Sequence, residues 1–229
     1  MDLSNAALLV APGQRPAEEG GRARPASRQS PSDTQGRIIE AAEGLFRQFG
    51  HRKTTVADIA GALSMSPANI YRFFPSKDAI CQAVCRRLLA DLTSVADGLP
   101  QRNATDRLRA SVSALTRCNI EQFRANEPLR QLFASATDEN WPVMREYLDR
   151  IETILATIVA DGVGRGEFRK ADARRAARCV YTSMLQHLHP TPAIGRDDRA
   201  QASLDDMLNF CLAALRHGEL SQDRGGTSK

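Results

Sequence analysis

The chain has 229 residues, 42% of them hydrophobic, and a net charge of +4. That is room for one large domain or two smaller ones with a real core, and the modest charge permits a polyanion partner without demanding one. No apolar run approaches a membrane span, "ALLVA" is too short for a signal-peptide core, and an odd count of five cysteines without a CxxC pair argues against a disulfide framework, so the expectation is a soluble, cytoplasmic protein.

Residues 1–33 lack periodicity and read as a disordered N-terminal arm. Arg22, Arg24 and Arg28 in "GGRARPASRQS" leave two readings, a solvated tail or an arm touching a DNA minor groove. From Thr34 the pattern is helical. In "GRIIEAAEGLFRQFG", Ile38, Ala42, Leu45 and Phe49 share a face, and Gly50 is the stop. Thr55 caps "VADIAGAL", with Val56, Ile59, Ala60 and Leu63 on one face. Ser66 and Pro67 open a third helix ending near Phe74. Pro75 stops it, and Ser76 caps a long fourth helix from Lys77 to about Ala96. Further helices are predicted at about 104–125, 127–136, 139–161, 172–188 and 198–216. "DGLP", Asn126 with Pro128, "DGVGRGEFRKAD" and "HPTPAIG" punctuate them, and 218–229 reads as a disordered tail. Leu and Ala dominate and no strand pattern appears, so the fold class is all-α.

Residues 55–74 form a helix-turn-helix pattern, in which the first helix braces a second that presents its N-terminal residues to a major groove. Ile70 and Phe74, four residues apart, anchor the second helix inward. Ser66, Pro67, Ala68 and Asn69 then occupy its exposed first turn. Asn69 suits a bidentate contact to adenine, and the small residues suit a thymine methyl. Tyr71, Arg72 and Lys77 reach for phosphates.

The run "TTVADIAGALSMSPANIYRFFPSKDAI", with "RIIEAAEGLFRQFG" before it, resembles the N-terminal domain of the tetracycline-repressor-like (TetR) regulators over about residues 36–85. The resemblance implies an N-terminal three-helix DNA-binding domain (34–80) joined by a connecting helix to a larger helical ligand-binding and dimerisation domain (81–217). It implies a homodimer on a palindromic double-stranded operator, most simply a repressor, released by a small organic effector of unknown identity. It implies Thr55 and Lys77 as phosphate contacts and Ser66, Pro67, Ala68, Asn69, Tyr71 and Phe73 as the groove-facing set. Two departures stand out. The turn has Ser64 where the family usually has Gly, which predicts a left-handed serine. Ala57 and Pro67 stand where a basic or polar residue is frequent, which shifts affinity towards Arg72, Arg52, Lys53 and the arm.

In the C-terminal part, Ala173, Ala177, Val180, Met184 and Leu188 follow helical spacing, as do Leu204, Met207, Leu208, Cys211 and Leu215. The two stripes are expected to form a four-helix dimer interface, with packing inside one subunit as the alternative. An effector pocket is expected among helices 104–161, walled by Val112, Leu115, Asn119, Phe123, Phe133, Trp141, Met144, Tyr147 and Leu148. Cys81 and Cys85, four residues apart, raise the alternative of a redox- or metal-responsive regulator, perhaps with His51, and His187, His189 and Cys179 give a weaker metal pattern. No phosphate loop, nucleophile elbow, HExxH or clustered carboxylate pair occurs, which leaves a helical enzyme as a remote alternative and implies no cofactor or metal.

Overall fold

The computed structural model describes residues 30–97, 103–189 and 202–217. The arm as far as residue 29, the breaks at 98–102 and 190–201, and the tail at 218–229 lie outside the described residues. Among the described residues there are helices and no strands.

α1 (Pro31–Phe49) starts three residues before Thr34 because Ser30 and Asp33 cap each other's backbone N–H groups and Pro31 occupies the first helical position. Its core stripe is Ile38, Ala42 and Phe46. Phe49, predicted to share that stripe, is 52% exposed, since it is the last helical residue before the Gly50 stop and lies past the inward face that Phe46 fills. α2 (Val56–Ala62) opens on a reciprocal cap between Thr55 and Asp58, and buries Val56, Ile59 and Ala60. α3 (Pro67–Tyr71) is capped by Ser66. It ends three residues short of Phe74, because Pro75 disfavours helical geometry in the residue before it and the last turn loosens into i→i−3 bonds. α4 (Lys77–Asp97), capped by the Ser76 hydroxyl, runs roughly 30 Å at 1.5 Å per residue.

α5 (Ala104–Asn119) continues into a π turn (Ile120–Arg124), then α6 (Glu127–Asp138) and α7 (Pro142–Gly164) follow. The helix predicted at 172–188 divides into α8 (Ala173–Ser183) and α9 (Leu185–Leu188) at Met184, and α10 (Leu204–His217) closes the described chain. α4 packs on α1 at one end and on α5 and α7 along its length, and α8 lies against α7. One contiguous buried apolar set runs from Ile38 in α1 through α4 to Leu215 in α10.

Three helices stop in the same way. Ser64 (φ 55°), Asn140 (φ 52°) and Gly166 (φ 72°) adopt the left-handed conformation just past α2, α6 and α7. In each case that residue's N–H returns three residues, to Gly61, Thr137 and Val163, and the next N–H returns five, to Ala60, Ala136 and Gly162. The left-handed serine expected in the helix-turn-helix is therefore present. Glycine is the usual residue at such a stop, because a Cβ in this conformation is crowded.

The three glycines of "DGVGRG" read from sequence as one break, but they do different jobs. Gly162 is inside α7, and a Cβ there would overlap the Phe168 ring and the Ala104 methyl. Gly162→Ala is expected to destabilise the fold by about 1–3 kcal/mol, the usual cost of overpacking, read from the urea midpoint. Ser64→Gly is expected to raise stability by about 1 kcal/mol by relieving the left-handed serine, with the helix-turn-helix geometry kept; an unchanged or lower midpoint would contradict the strain.

Candidate nucleic-acid interface and interior cavity

Ile70 (0% exposed) and Phe74 are buried, as their spacing predicts, and α3 packs against α2. The opposite side is open. Ser66, Pro67, Ala68 and Arg72 are exposed, Asn69 is half-buried, and Tyr71 is 51% exposed. Phe73, also expected in the groove-facing set, is half-buried and partly packed against the core; it lies three residues from Ile70 and so shares part of the inward face. Thr55 is exposed, and its hydroxyl is 2.8 Å from the Asp58 carboxylate. The hydrogen bonds from the Thr55 backbone and side chain hold the Asp58 carboxyl below its usual range. Lys77 donates from Nζ to the Arg52 carbonyl (3.3 Å), which fixes the start of α4 beside the exposed Arg52 and Lys53.

Sequence spacing gave no sign of Thr54. It is buried, and its Oγ1 donates to the Gly50 carbonyl at 2.9 Å, which closes the loop between α1 and α2. The seam behind the head is polar. His51, Arg52, Lys77, Asp78, Cys81, Ser135, Glu139 and Trp141 surround a cavity of about 270 Å³. Burial, then the charges of Arg52 and Lys77, lower the His51 pKa, so the ring is neutral near pH 7. Arg52 reaches across to the Ser135 hydroxyl of α6 (3.4 Å).

Cys81 and Cys85 belong to the core of α4. Burial pushes the Cys81 thiol up to about 11 and Cys85 higher still, so neither is a thiolate near neutral pH. Among the described residues no cluster of three or more His, Cys, Asp or Glu is arranged to hold a metal ion, and no helix is long and apolar enough to cross a membrane.

A larger cavity, about 590 Å³, opens between α4 and α7, lined by Leu89, Ala90, Thr93, Val143 and Tyr147 with Arg86, Ser94, Glu146 and Arg150. Of the nine predicted wall residues only Tyr147 lines it. Val112, Leu115, Phe123, Phe133 and Met144 are buried core, Phe123 and Phe133 meeting edge to face at 4.4 Å. Trp141 lines the smaller seam cavity, and Leu148 is 36% exposed. Val143, Glu146, Tyr147 and Arg150 fall at i, i+3, i+4 and i+7 on the face of α7 towards α4, whereas Met144 and Leu148 each lie one residue, about 100°, round from it. The contribution of α4 was not anticipated, because its sequence reads as a connector.

Asn119 is buried. Its amide and the Tyr147 hydroxyl both donate to the Leu188 carbonyl, at 2.8 and 3.1 Å. The Asn119 Oδ1, Thr116 Oγ1 and Tyr181 hydroxyl atoms are buried without a protein partner. Polar groups so placed lose hydration unless water or a ligand meets them.

The two stripes expected at a dimer interface are largely consumed inside the protomer. Ala177, Val180, Met184, Leu188, Leu208, Cys211 and Leu215 are buried, and Ala173, Leu204 and Met207 are half-buried. The reason is that α8 covers α7, while α10 packs on α5 and α8. What stays outward is Phe210, 66% exposed, with Ala213, Ala214 and, at the end of α8 and start of α9, Leu185.

A head that presents a capped short helix, joined through α4 to a cavity-bearing helical domain, defines a helix-turn-helix DNA-binding regulator. The family models agree: residues 38–84 match that of the bacterial regulatory proteins of the tetR family, and 104–206 match the tetracyclin repressor-like C-terminal domain. The chain belongs to the TetR family of DNA-binding transcriptional regulators. It is 26% identical over 142 residues to the HTH-type transcriptional repressor KstR2 of Rhodococcus jostii, a match covering 58% of this chain and 66% of that one. It is 25% identical over 189 residues to the HTH-type transcriptional regulator BetI of Brucella anthropi, covering 80% and 93%. The fold is shared with a TetR-family repressor, FadR of Thermus thermophilus, solved with lauroyl-CoA (TM-score 0.57, 23% identity, 85% and 100% covered). It is shared also with a transcriptional regulator from Cytophaga hutchinsonii (TM-score 0.58, 20% identity, 80% and 98% covered).

Proposed function

We propose that this regulator is a homodimeric repressor that sits on a palindromic operator and is released when a small organic molecule enters the cavity between α4 and α7. The observation that carries the reading is that one helix serves both ends. α4 leaves the reading head at Lys77, and further along, Leu89, Ala90 and Thr93 wall the cavity. Two heads must meet half-sites about 34 Å apart, or a multiple, so a shift of α4 by a few Å misaligns one of them. A coupling of about 1–3 kcal/mol per ligand suffices.

In this reading Ser66, Pro67, Ala68 and Asn69 face the groove, Tyr71 and Arg72 flank it, and Thr55 and Lys77 stand at the phosphates. The dimer forms through the outward face of α10 and the α8–α9 end, with Phe210 as its central anchor. An exposed aromatic in the middle of a helix face, with small Ala213 and Ala214 beside it, suits close helix–helix approach.

Tyr71→Ala should weaken binding on every sequence, whereas Asn69→Ala should cost about 1–3 kcal/mol and relax preference at one base pair per half-site. Site selection from random DNA with each variant separates the two; equal losses on all sequences for Asn69→Ala would show that it does not read bases. Phe210→Asp should leave a folded monomer by sedimentation with operator affinity greatly reduced. A Phe210→Asp protein that remains dimeric at micromolar concentration would place the interface elsewhere.

A further inference from the structure

The cavity between α4 and α7 carries a chemical signature of its occupant. Its walls are Leu89, Ala90, Val143 and the Tyr147 ring, and its polar groups include Arg86, Glu146 and Arg150. The charged groups at its walls are the Arg86 and Arg150 guanidinium groups and the Glu146 carboxylate. Arg86 grips Glu146 with both arms of its fork, Nε to Oε2 at 2.7 Å and Nη2 to Oε1 at 2.9 Å. Each of these side chains is 52% exposed. A bridge so open to water is worth little, and it ties α4 to α7 across the cavity they form. The geometry on the guanidinium is that of a bound carboxylate, and Glu146 is the carboxylate now holding the place.

We propose that the cavity binds an amphipathic organic anion, an apolar body ending in a carboxylate, whose head replaces Glu146 on Arg86 while its body lies against Leu89, Val143 and Tyr147. This rests on the proposed ligand-released function and names the ligand class for that same site. The exchange conserves the hydrogen bonds of the guanidinium and adds apolar burial that Glu146 does not supply. Its mechanical result follows from the next residue. Arg87 faces Glu43 of α1 at 3.6 Å, so neighbouring arginines fasten α4 to the head and to α7. With Arg86 on the ligand, the fastening to α7 is lost and the one to the head stays.

Calorimetry on the full chain with decanoate, decanol and decyltrimethylammonium tests this. Decanoate is expected to bind at least tenfold more tightly than decanol, and the cation not measurably. Arg86→Gln should bring decanoate down to the level of decanol and leave decanol unchanged, which doubles as the check that the variant is folded. Glu146→Gln should tighten decanoate severalfold by removing its competitor, and Val143→Trp should fill the cavity and abolish both. Equal affinity for decanoate and decanol, a tenfold preference surviving in Arg86→Gln, or no binding of any probe to the wild type overturns the inference. An operator assay separates the two levels. Decanoate that binds as described but leaves the operator complex intact refutes release by this ligand and supports the ligand class. Displacement of the operator by an uncharged compound, with decanoate not binding, overturns the class and leaves the regulator standing.

Discussion

The burial of α4 on two sides is the constraint on which the rest of the molecule depends. Ile80, Cys81, Val84 and Cys85 complete the interior at the head end of the helix, while Leu88, Leu89, Leu92 and Ala96 serve the C-terminal core. No break in the buried set separates these groups. A helix with apolar residues around so much of its circumference cannot rotate freely against one partner, since interiors are close-packed and any turn opens voids. Translation or tilting as a rigid rod is the motion left to it. The two cysteines fit this account as small apolar fillers, their thiols held protonated by burial.

Much of this was legible in the sequence because capping is local chemistry. Thr55 with Asp58, Ser66 with Asn69, and Ser76 with Ala79 each act within four residues, so side-chain type and spacing were enough to place the helix starts. Stops were harder. Gly50 announced one, but Asn140 ends α6 with the same left-handed geometry as Gly166 and carries no comparable signal. The break at Met184 was also hidden, for an apolar residue in good helical register gives no warning of it. The inward face of α3 was readable from Ile70 and Phe74. The position of Phe73 was not, because three-residue spacing leaves a side chain at the edge of a face, where the neighbouring helix decides.

The cavity failed to appear in the sequence for a different reason. Apolar residues on α5 and α6 have the same periodicity whether they line a space or fill a core, and here Val112, Leu115, Phe123 and Phe133 fill it. What distinguishes the cavity is a mismatch between two facing helices, with small Ala90 and Thr93 on α4 opposite Val143 and Tyr147 on α7. That is a property of a pair of helices 50 residues apart in the chain, and no single window contains it. The same holds for Arg86 and Glu146, which are separated by 60 residues and ordinary in either local context. The apolar stripes of α8 and α10 were expected at a dimer interface, but most of their residues are buried within the protomer, since periodicity says that a face is hidden and not by which chain.

The small size of the head ties its stability to the rest of the chain, which favours the proposed link between reading and sensing. Its own three helices bury little more than Ile38, Ala42, Phe46, Val56, Ile59, Ala60 and Ile70. An apolar set of that size supplies little stability once the ordering of the chain is subtracted. The head therefore leans on α4, and also on α6, where Arg52 meets Ser135 and Pro128 approaches Gly50. A head stable by itself could ride on a loose linker and ignore whatever occupied the distant cavity. This one shares its core with the helix that walls the cavity, since Ile80 and Val84 of α4 belong to the same buried set as Ile70 and Phe74. The proposed coupling of Ser66, Asn69 and Tyr71 to the cavity therefore needs no direct contact, because α4 belongs to the buried set at both of its ends.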